Sequence, residues 1–257
     1  MTTGSLEAKH IEAANLLLNA RRTAAPMADL PAELKPATLE EAYVVQDILA
    51  EVYGPIGGWK VGAPTPEATP IFAPMPLAWI AASGSTLSGI TSRYRGLEAE
   101  IAFLIGEDLP PRATPYTMDE VIAAIASCHP AIEVLESGLT DPALSEVRMS
   151  MLADLQMHGG FVYGPAVADW QSLDFAKESV SLAVDGVVRV EREGSNTSGN
   201  LMRLLPFLAN EGSARTGGLK RGQWITTGSW TGNVQALPGG DVHVQFSTAG
   251  AVALRFA

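Results

Sequence analysis

Two glutamates one residue apart, Glu98 and Glu100, lie in a run where Leu97, Ala99, Ile101 and Phe103 alternate with Glu98, Glu100 and Ala102. A period of two is the signature of a strand, and it places both carboxylates on one face, roughly 7 Å apart along the chain. Carboxylates displayed together beside apolar neighbours repel each other and lose hydration, and a divalent cation offsets both costs. Glu133, in Pro130-Ala-Ile-Glu133-Val-Leu-Glu136, offers a third carboxylate from another strand. Three such oxygen donors suit Mg²⁺ or Mn²⁺. The same pattern fits a solvated strand face, with Glu133 at an edge.

Two further side chains could move protons or hold charge. Lys60, between Trp59 and Val61, is the only lysine between Lys35 and Lys177. A lone ammonium among large apolar groups suits a pocket that receives a carboxylate, or it snorkels to the surface. His158 precedes Gly159-Gly160 and is either a proton carrier in a pocket or a structural histidine. His10 is expected on the polar side of an amino-terminal helix.

These groups must be carried by a large framework. The 257 residues can bury a substantial core, and 25 glycines with 17 prolines imply many turns. A formal charge of -11 disfavours gripping nucleic acid or an anionic membrane. A single cysteine, Cys128, leaves no disulfide framework or cysteine zinc site. With no secretory h-region at the amino terminus and no long apolar run, the expected address is the cytoplasm.

Residues 6–24 read as a helix with Leu6, Ile11, Ala14, Leu17 and Leu18 inward. A second helix should begin at Thr38, with Glu41 as its capping-box partner, and run through Tyr43, Val44 and Ile48 to Val52. Gly54-Pro55 and Gly57-Gly58 should stop it before a short strand at Trp59–Gly62. Residues 64–90 read as irregular with short strands. They mark a boundary between an amino-terminal helical and irregular portion, 1–80, and a β-rich catalytic portion, 81–257. A helix capped by Thr117 and Glu120 should reach Ser127, ahead of a strand carrying Ile132 to Val134, and 137–150 reads as an exposed connection with one short helical turn. Asp185-Gly186 should turn a hairpin, Asn200 to Asn210 should be a helix bent at Pro206, and Val242–Phe246 should pair with Val252–Phe256. Gly222–Gly232 reads as a strand entering a turn whose N–H groups suit an anion.

Over nearly its full length the chain resembles the 2-keto-4-pentenoate hydratase and 4-oxalocrotonate decarboxylase branch of the fumarylacetoacetate hydrolase superfamily. The resemblance rests on the order of Gly58-Trp-Lys60-Val-Gly62, Phe72-Ala-Pro-Met75, Leu97-Glu98-Ala-Glu100-Ile-Ala102, Pro130-Ala-Ile-Glu133-Val134, Ala153-Asp154, Gly159-Gly160, Thr227-Gly-Ser-Trp-Thr-Gly232 and Gly240-Asp241. It implies an α+β fold: a mixed β-sheet roll with an amino-terminal helical portion, assembled as a homo-oligomer or with a homologous or pathway enzyme. It also implies Mg²⁺ or Mn²⁺ on Glu98, Glu100 and Glu133, chelating a small 2-oxo acid or its enol, with Lys60 moving protons or neutralising charge. The implied activity is that of a hydratase-like lyase on a 2-hydroxydienoate such as the enol of 2-oxopent-4-enoate. Decarboxylation, C–C hydrolysis of a related 2-oxo acid, or a non-catalytic keto-acid-binding subunit are the alternatives. The chain departs from the pattern where an aspartate is usual and Pro74 stands, where asparagine and serine are usual and Leu155 and Met157 stand, and at Gly199-Asn200-Leu201, where Gly-His-Pro is usual. Glu136 and His158 are candidates for a replacement base.

Overall fold

The computed structural model describes residues 3–89 and 93–257; the Leu6 side chain and residue 90, for which expectations were stated, lie outside the described part. Helix α1 (Thr3–Thr23) packs on α2 (Leu39–Tyr53). The buried stripe of α1 is His10, Ala13, Ala14, Leu17 and Ala20, spaced by three and four, while Ile11 is 44% exposed. The expected stripe is thus rotated, and His10 is buried rather than on the surface. Small residues on that face let α1 approach Ala42, Val45 and Leu49 of α2, and this turns Val44 outward. Thr38 caps α2 by accepting from the Glu41 N–H, but the Glu41 carboxylate takes the Ala37 N–H, leaving the capping box half formed.

Strand β1 (Ile56–Gly62) starts earlier than expected, because Gly57 and Gly58 belong to it. A Cβ on Gly58 would lie 2.5 Å from the Trp224 carbonyl oxygen, so the glycine permits close approach within the sheet instead of stopping a helix. There follow β2 (Ile71–Pro76), β3 (Ile80–Ala82), β4 (Ser85–Leu87), β5 (Gly96–Ile105), α3 (Met118–Ala123) and β6 (Ile125–Leu135). The capping box of α3 is complete, yet the helix ends four residues short of Ser127. Residues from Ile125 onward pair along β5 instead, and that ladder outweighs local helix propensity. Then come α4 (Arg148–Ala153), β7 (His158–Tyr163), β8 (Ser179–Val184), β9 (Val187–Glu193), α5 (Leu204–Asn210), α6 (Ser213–Thr216), β10 (Trp224–Thr226), β11 (Val234–Gln235), β12 (Asp241–Phe246) and β13 (Gly250–Phe256).

The strands form two mixed sheets. The larger runs β2-β1-β10-β5-β6-β7-β3, with β11 added to β5; the smaller runs β4-β13-β12-β8-β9. β1 and β2, both before residue 80, are members of the larger sheet, so the sheet itself does not divide at that point. Asp185 and Gly186, both at positive φ, turn the β8–β9 hairpin, and Val242, Val244, Phe246, Val252, Leu254 and Phe256 are buried on the β12–β13 pair. Pro206 falls in the first turn of α5, where its missing N–H has no helical partner to lose, and Leu201, Leu204, Leu205 and Leu208 face inward.

The two sheets share one core. Leu97, Ala99, Ile101 and Phe103 of β5 meet Leu182, Val244, Phe246 and Val252 from the smaller sheet. The alternate residues of β5 therefore face the other way, and that is where the acidic side chains lie. No helix among the described residues is long and apolar enough to cross a membrane.

Candidate metal centre

The acidic cluster follows from strand register. β5 and β6 are antiparallel with Glu98 directly opposite Glu133, Ala99 opposite Ile132 and Glu100 opposite Ala131. Two-residue spacing on β5 plus that cross-strand pair puts one oxygen from each of Glu98, Glu100 and Glu133 within 4.8 Å of the others. Lys60 arrives on β1 through β10, since it pairs with Thr226, which pairs with Ala102. Its Nζ lies 2.6 Å from Glu133 Oε1 and donates to the Gln156 carbonyl at 3.0 Å. The expected triad and lysine are brought together.

The cluster is electrostatically frustrated. Burial pushes the Glu98 carboxyl up to about 7, with repulsion from Glu133 added and with Lys60 and the Ser229 hydroxyl pulling the other way. Burial, then Glu133 and Glu98, raises Glu100 well above the ordinary carboxylate range. Burial works against the charge of Glu133 too, but Lys60 and His158 outweigh it and hold Glu133 below that range. Burial likewise pulls on the Lys60 ammonium, and Glu133, Glu98 and Glu100 reverse this, leaving it above its usual value. Glu100 Oε2 accepts from the Thr226 hydroxyl and from the Gly228 N–H at 3.0 Å. The anion expected for the glycine turn is thus the protein's own carboxylate.

Glu133 Oε2 is buried without a hydrogen-bond partner. An acceptor stranded beside two reluctant carboxylates fits a hard cation, and an all-oxygen donor set fits Mg²⁺ or Mn²⁺. The three glutamates and Lys60 line a cavity of about 330 Å³ together with Val61, Ile71, Met151, Gln156 and Arg148. A larger cavity of about 680 Å³ lies by Arg21, Tyr53 and Trp79 and includes none of the acidic residues, so chemistry and not size selects the site.

His158 and Glu136 are not among the residues lining the acidic cavity. His158 is fully buried behind Glu133: its Nδ1 is 2.9 Å from Glu133 Oε1 and its ring stacks on Trp79 at 5.9 Å. Burial lowers its pKa, so it holds Glu133 as a neutral donor. The Glu136 carboxylate accepts the backbone N–H groups of Arg93, Tyr94 and Ser137, which makes it a loop clamp and leaves it no free oxygen to act as a base. Gly159 is small because Glu136 lies against it: an added Cβ would sit 2.5 Å from the Glu136 Cβ.

Sequence reasoning missed the scaffold beneath. Arg21 of α1 is buried against Asp154 at 2.5 Å and also donates to the carbonyls of Glu136, Asp154 and His158. Asp154 in turn accepts the Ser137 hydroxyl and the Gly138 N–H. Immediately after it Leu155, Gln156 and Met157 all adopt positive φ, at 51°, 51° and 63°. Such residues cost about 1–3 kcal/mol each, and this loop aims the Gln156 carbonyl at Lys60. The Ala153-Asp154 pair was the one available signal, and an arginine 133 positions away cannot be matched to it by spacing.

No family model matches the sequence. Among curated proteins, the chain is 24% identical over 260 residues to 2-keto-4-pentenoate hydratase of Paraburkholderia xenovorans (strain LB400), covering 95% of this chain and 94% of that one. It is 26% identical over 160 residues to 4-oxalocrotonate decarboxylase of Pseudomonas putida, a match spanning 62% of this chain and 59% of that protein's length. Among solved structures, 4-oxalocrotonate decarboxylase from Pseudomonas putida G7, complexed with magnesium and adipate, superposes with a TM-score of 0.83 at 23% identity, over 100% of this chain and 99% of that one. The 2-hydroxyhepta-2,4-diene-1,7-dioate isomerase from Mycobacterium marinum matches at a TM-score of 0.58 and 17% identity, over 79% of this chain and 76% of that one. The chain therefore has the fumarylacetoacetate hydrolase-type fold, with amino-terminal helices, and shares it over its whole aligned length with the 4-oxalocrotonate decarboxylase structures.

Proposed function

We propose that the protein is a divalent-metal-dependent lyase of the hydratase type, acting on a small 2-hydroxydienoate through its 2-oxo tautomer. The observation that carries this reading is Lys60 placed 2.6 Å from one of three carboxylates that converge in a single cavity. Glu98, Glu100 and Glu133 would hold Mg²⁺ or Mn²⁺. When bound, the cation supplies a Lewis acid to the oxygens of a 2-oxo acid, which stabilises enolate character. Lys60 keeps its positive charge among the carboxylates, so its Nζ can stabilise negative charge on the substrate and deliver a proton, which the added water then replaces. Hydration then adds hydroxide to the alkene carbon β to the carbonyl and a proton to the α carbon. The names of the similar hydratase and decarboxylase agree with this chemistry class.

Decarboxylation is the second reading, favoured by the removal of His158 and Glu136 from the cavity lining. Loss of CO₂ needs an electron sink and a proton donor but no activated water. The two are separated by incubating the Mg²⁺- or Mn²⁺-loaded protein with 2-hydroxypenta-2,4-dienoate and with 4-oxalocrotonate. Loss of dienol absorbance with formation of a 4-hydroxy-2-oxo acid supports hydration, and release of CO₂ supports decarboxylation. Inertness toward both, in a protein that binds metal and oxalate, would overturn the enzyme reading.

A further inference from the structure

We propose that the side-chain amide of Gln156 positions the water that adds to the alkene, a role that rests on the hydratase reading above. Besides its charged groups, the acidic cavity is lined by three polar side chains, Gln156, Thr197 and Ser229. The Ser229 hydroxyl is engaged, since it accepts the Gly232 N–H at 2.9 Å and bonds to the Glu98 carboxylate. Thr197 is exposed. The amide oxygen of Gln156, Oε1, is buried and has no hydrogen-bond partner among the described residues. A buried acceptor without a donor carries a desolvation cost, and a water that donates one O–H to it removes that cost.

The backbone holds this amide in place. Gln156 sits at φ 51° and ψ 41°, between two further residues at positive φ, and such strain persists only where the surroundings enforce it. Asp154, bonded to Arg21 at 2.5 Å, anchors the loop before it, and His158 enters β7 after it. Leu155 is buried and Met157 is apolar, so Gln156 is the only polar side chain between those anchors. Its own carbonyl receives Lys60 Nζ at 3.0 Å. One residue thus offers its main chain to the proton donor and its side chain to the cavity. An amide suits the task because it is neutral, adding no repulsion beside three carboxylates, and it does not titrate. Its oxygen accepts one O–H of the water, which leaves a lone pair of the water oxygen to face the alkene; it orients the water and does not take its proton. In the addition the water oxygen bonds to the β carbon. The alkene electron pair passes through the enolate to the α carbon, which takes a proton from Lys60 Nζ, and the proton lost by the water returns to Lys60.

Two readouts on one substrate test this. The Mn²⁺-loaded protein is given 2-hydroxypenta-2,4-dienoate in D₂O, and NMR follows both deuterium uptake into the 2-oxo tautomer, which needs no attacking water, and formation of the 4-hydroxy-2-oxo acid, which does. Gln156→Leu removes the amide at similar size, and Leu155 shows that the loop accepts leucine at this φ. Its kcat for hydration should fall about 100-fold with KM little changed, as for a group that aligns reactants only in the transition state. Deuterium uptake and Mn²⁺ binding should stay near wild type, and Gln156→Asn should recover part of the lost hydration. If the leucine variant fails to bind Mn²⁺, Gln156→Met, unbranched like glutamine, carries the same comparison. Undiminished hydration without the amide, or deuterium uptake that falls as far as hydration, overturns the role of Gln156 and leaves the hydratase reading standing. A wild-type protein that binds Mn²⁺ and forms no 4-hydroxy-2-oxo acid overturns the hydratase reading, and this inference with it.

Discussion

Replacing Glu100 with glutamine should stabilise the metal-free protein above neutral pH while weakening its hold on a divalent cation. Two unit charges 4.8 Å apart repel by about 3.5 kcal/mol at an effective dielectric constant of about 20, and Glu100 faces two such partners, Glu98 and Glu133. The attraction of Lys60 and the stronger hydrogen bonds that a carboxylate draws from Thr226 and Gly228 offset about half of that sum. A gain on the order of 3 kcal/mol remains for the glutamine variant when the wild-type cluster is fully ionised. The sign depends on pH. Glu98 and Glu100 have folded-state values above the 4.5 of an unperturbed glutamate, so the stability they contribute is complete below that value and lost as pH rises, through about 7 for Glu98. At pH 5 the wild-type Glu100 is protonated and resembles glutamine, and the two proteins should unfold alike. By pH 8 the gap should be open. Urea unfolding in excess chelator at the two pH values measures it, and adding Mn²⁺ should reverse the ranking. A Glu100→Gln protein less stable than wild type at pH 8 without metal would refute the view that the cluster is strained when unoccupied.

The same electrostatics make Mn²⁺ affinity rise with pH through about 7, where Glu98 ionises, with proton release visible by calorimetry in buffers of different ionisation enthalpy; a pH-independent affinity would contradict it. Lys60→Met should abolish turnover while Mn²⁺ binding is kept or tightened, because a repelling ammonium has left the cluster; equilibrium dialysis beside a rate assay tests both halves. His158→Ala should weaken metal binding about 10–100-fold with the protein still folded, since the ring orients Glu133 from behind, and unchanged affinity would reduce it to a packing residue. Arg21→Met should cost about 3–5 kcal/mol in denaturant unfolding, because it leaves Asp154 buried and unpaired.

Much of the site was legible because it is local. Glu98 and Glu100 share a face by the simple alternation of β5, and both hairpins announced themselves through turn residues and paired apolar runs. What was not legible depends on partners far along the chain. The residue numbers alone cannot say that Glu133 stands opposite Glu98, or that Lys60 enters through β10. His158 and Glu136 have the right side chains for a base and are placed behind or beside the cavity by the β6–β7 pairing. His10 shows the same limit in a helix: Ala13 and Ala14 are inward because α2 comes close, and the histidine is carried in with them.

Because Glu98 and Glu133 share a rung of the β5–β6 ladder, a slip of one residue would send one of them to the opposite side of the sheet. A misaligned chain would own the same three acids and no place for them to meet. Capture of a cation by the three glutamates would then double as proofreading. Ions present during refolding should favour correctly aligned molecules over their neighbours in the ensemble, so that the yield of native protein, and not only its final stability, depends on the metal in the buffer.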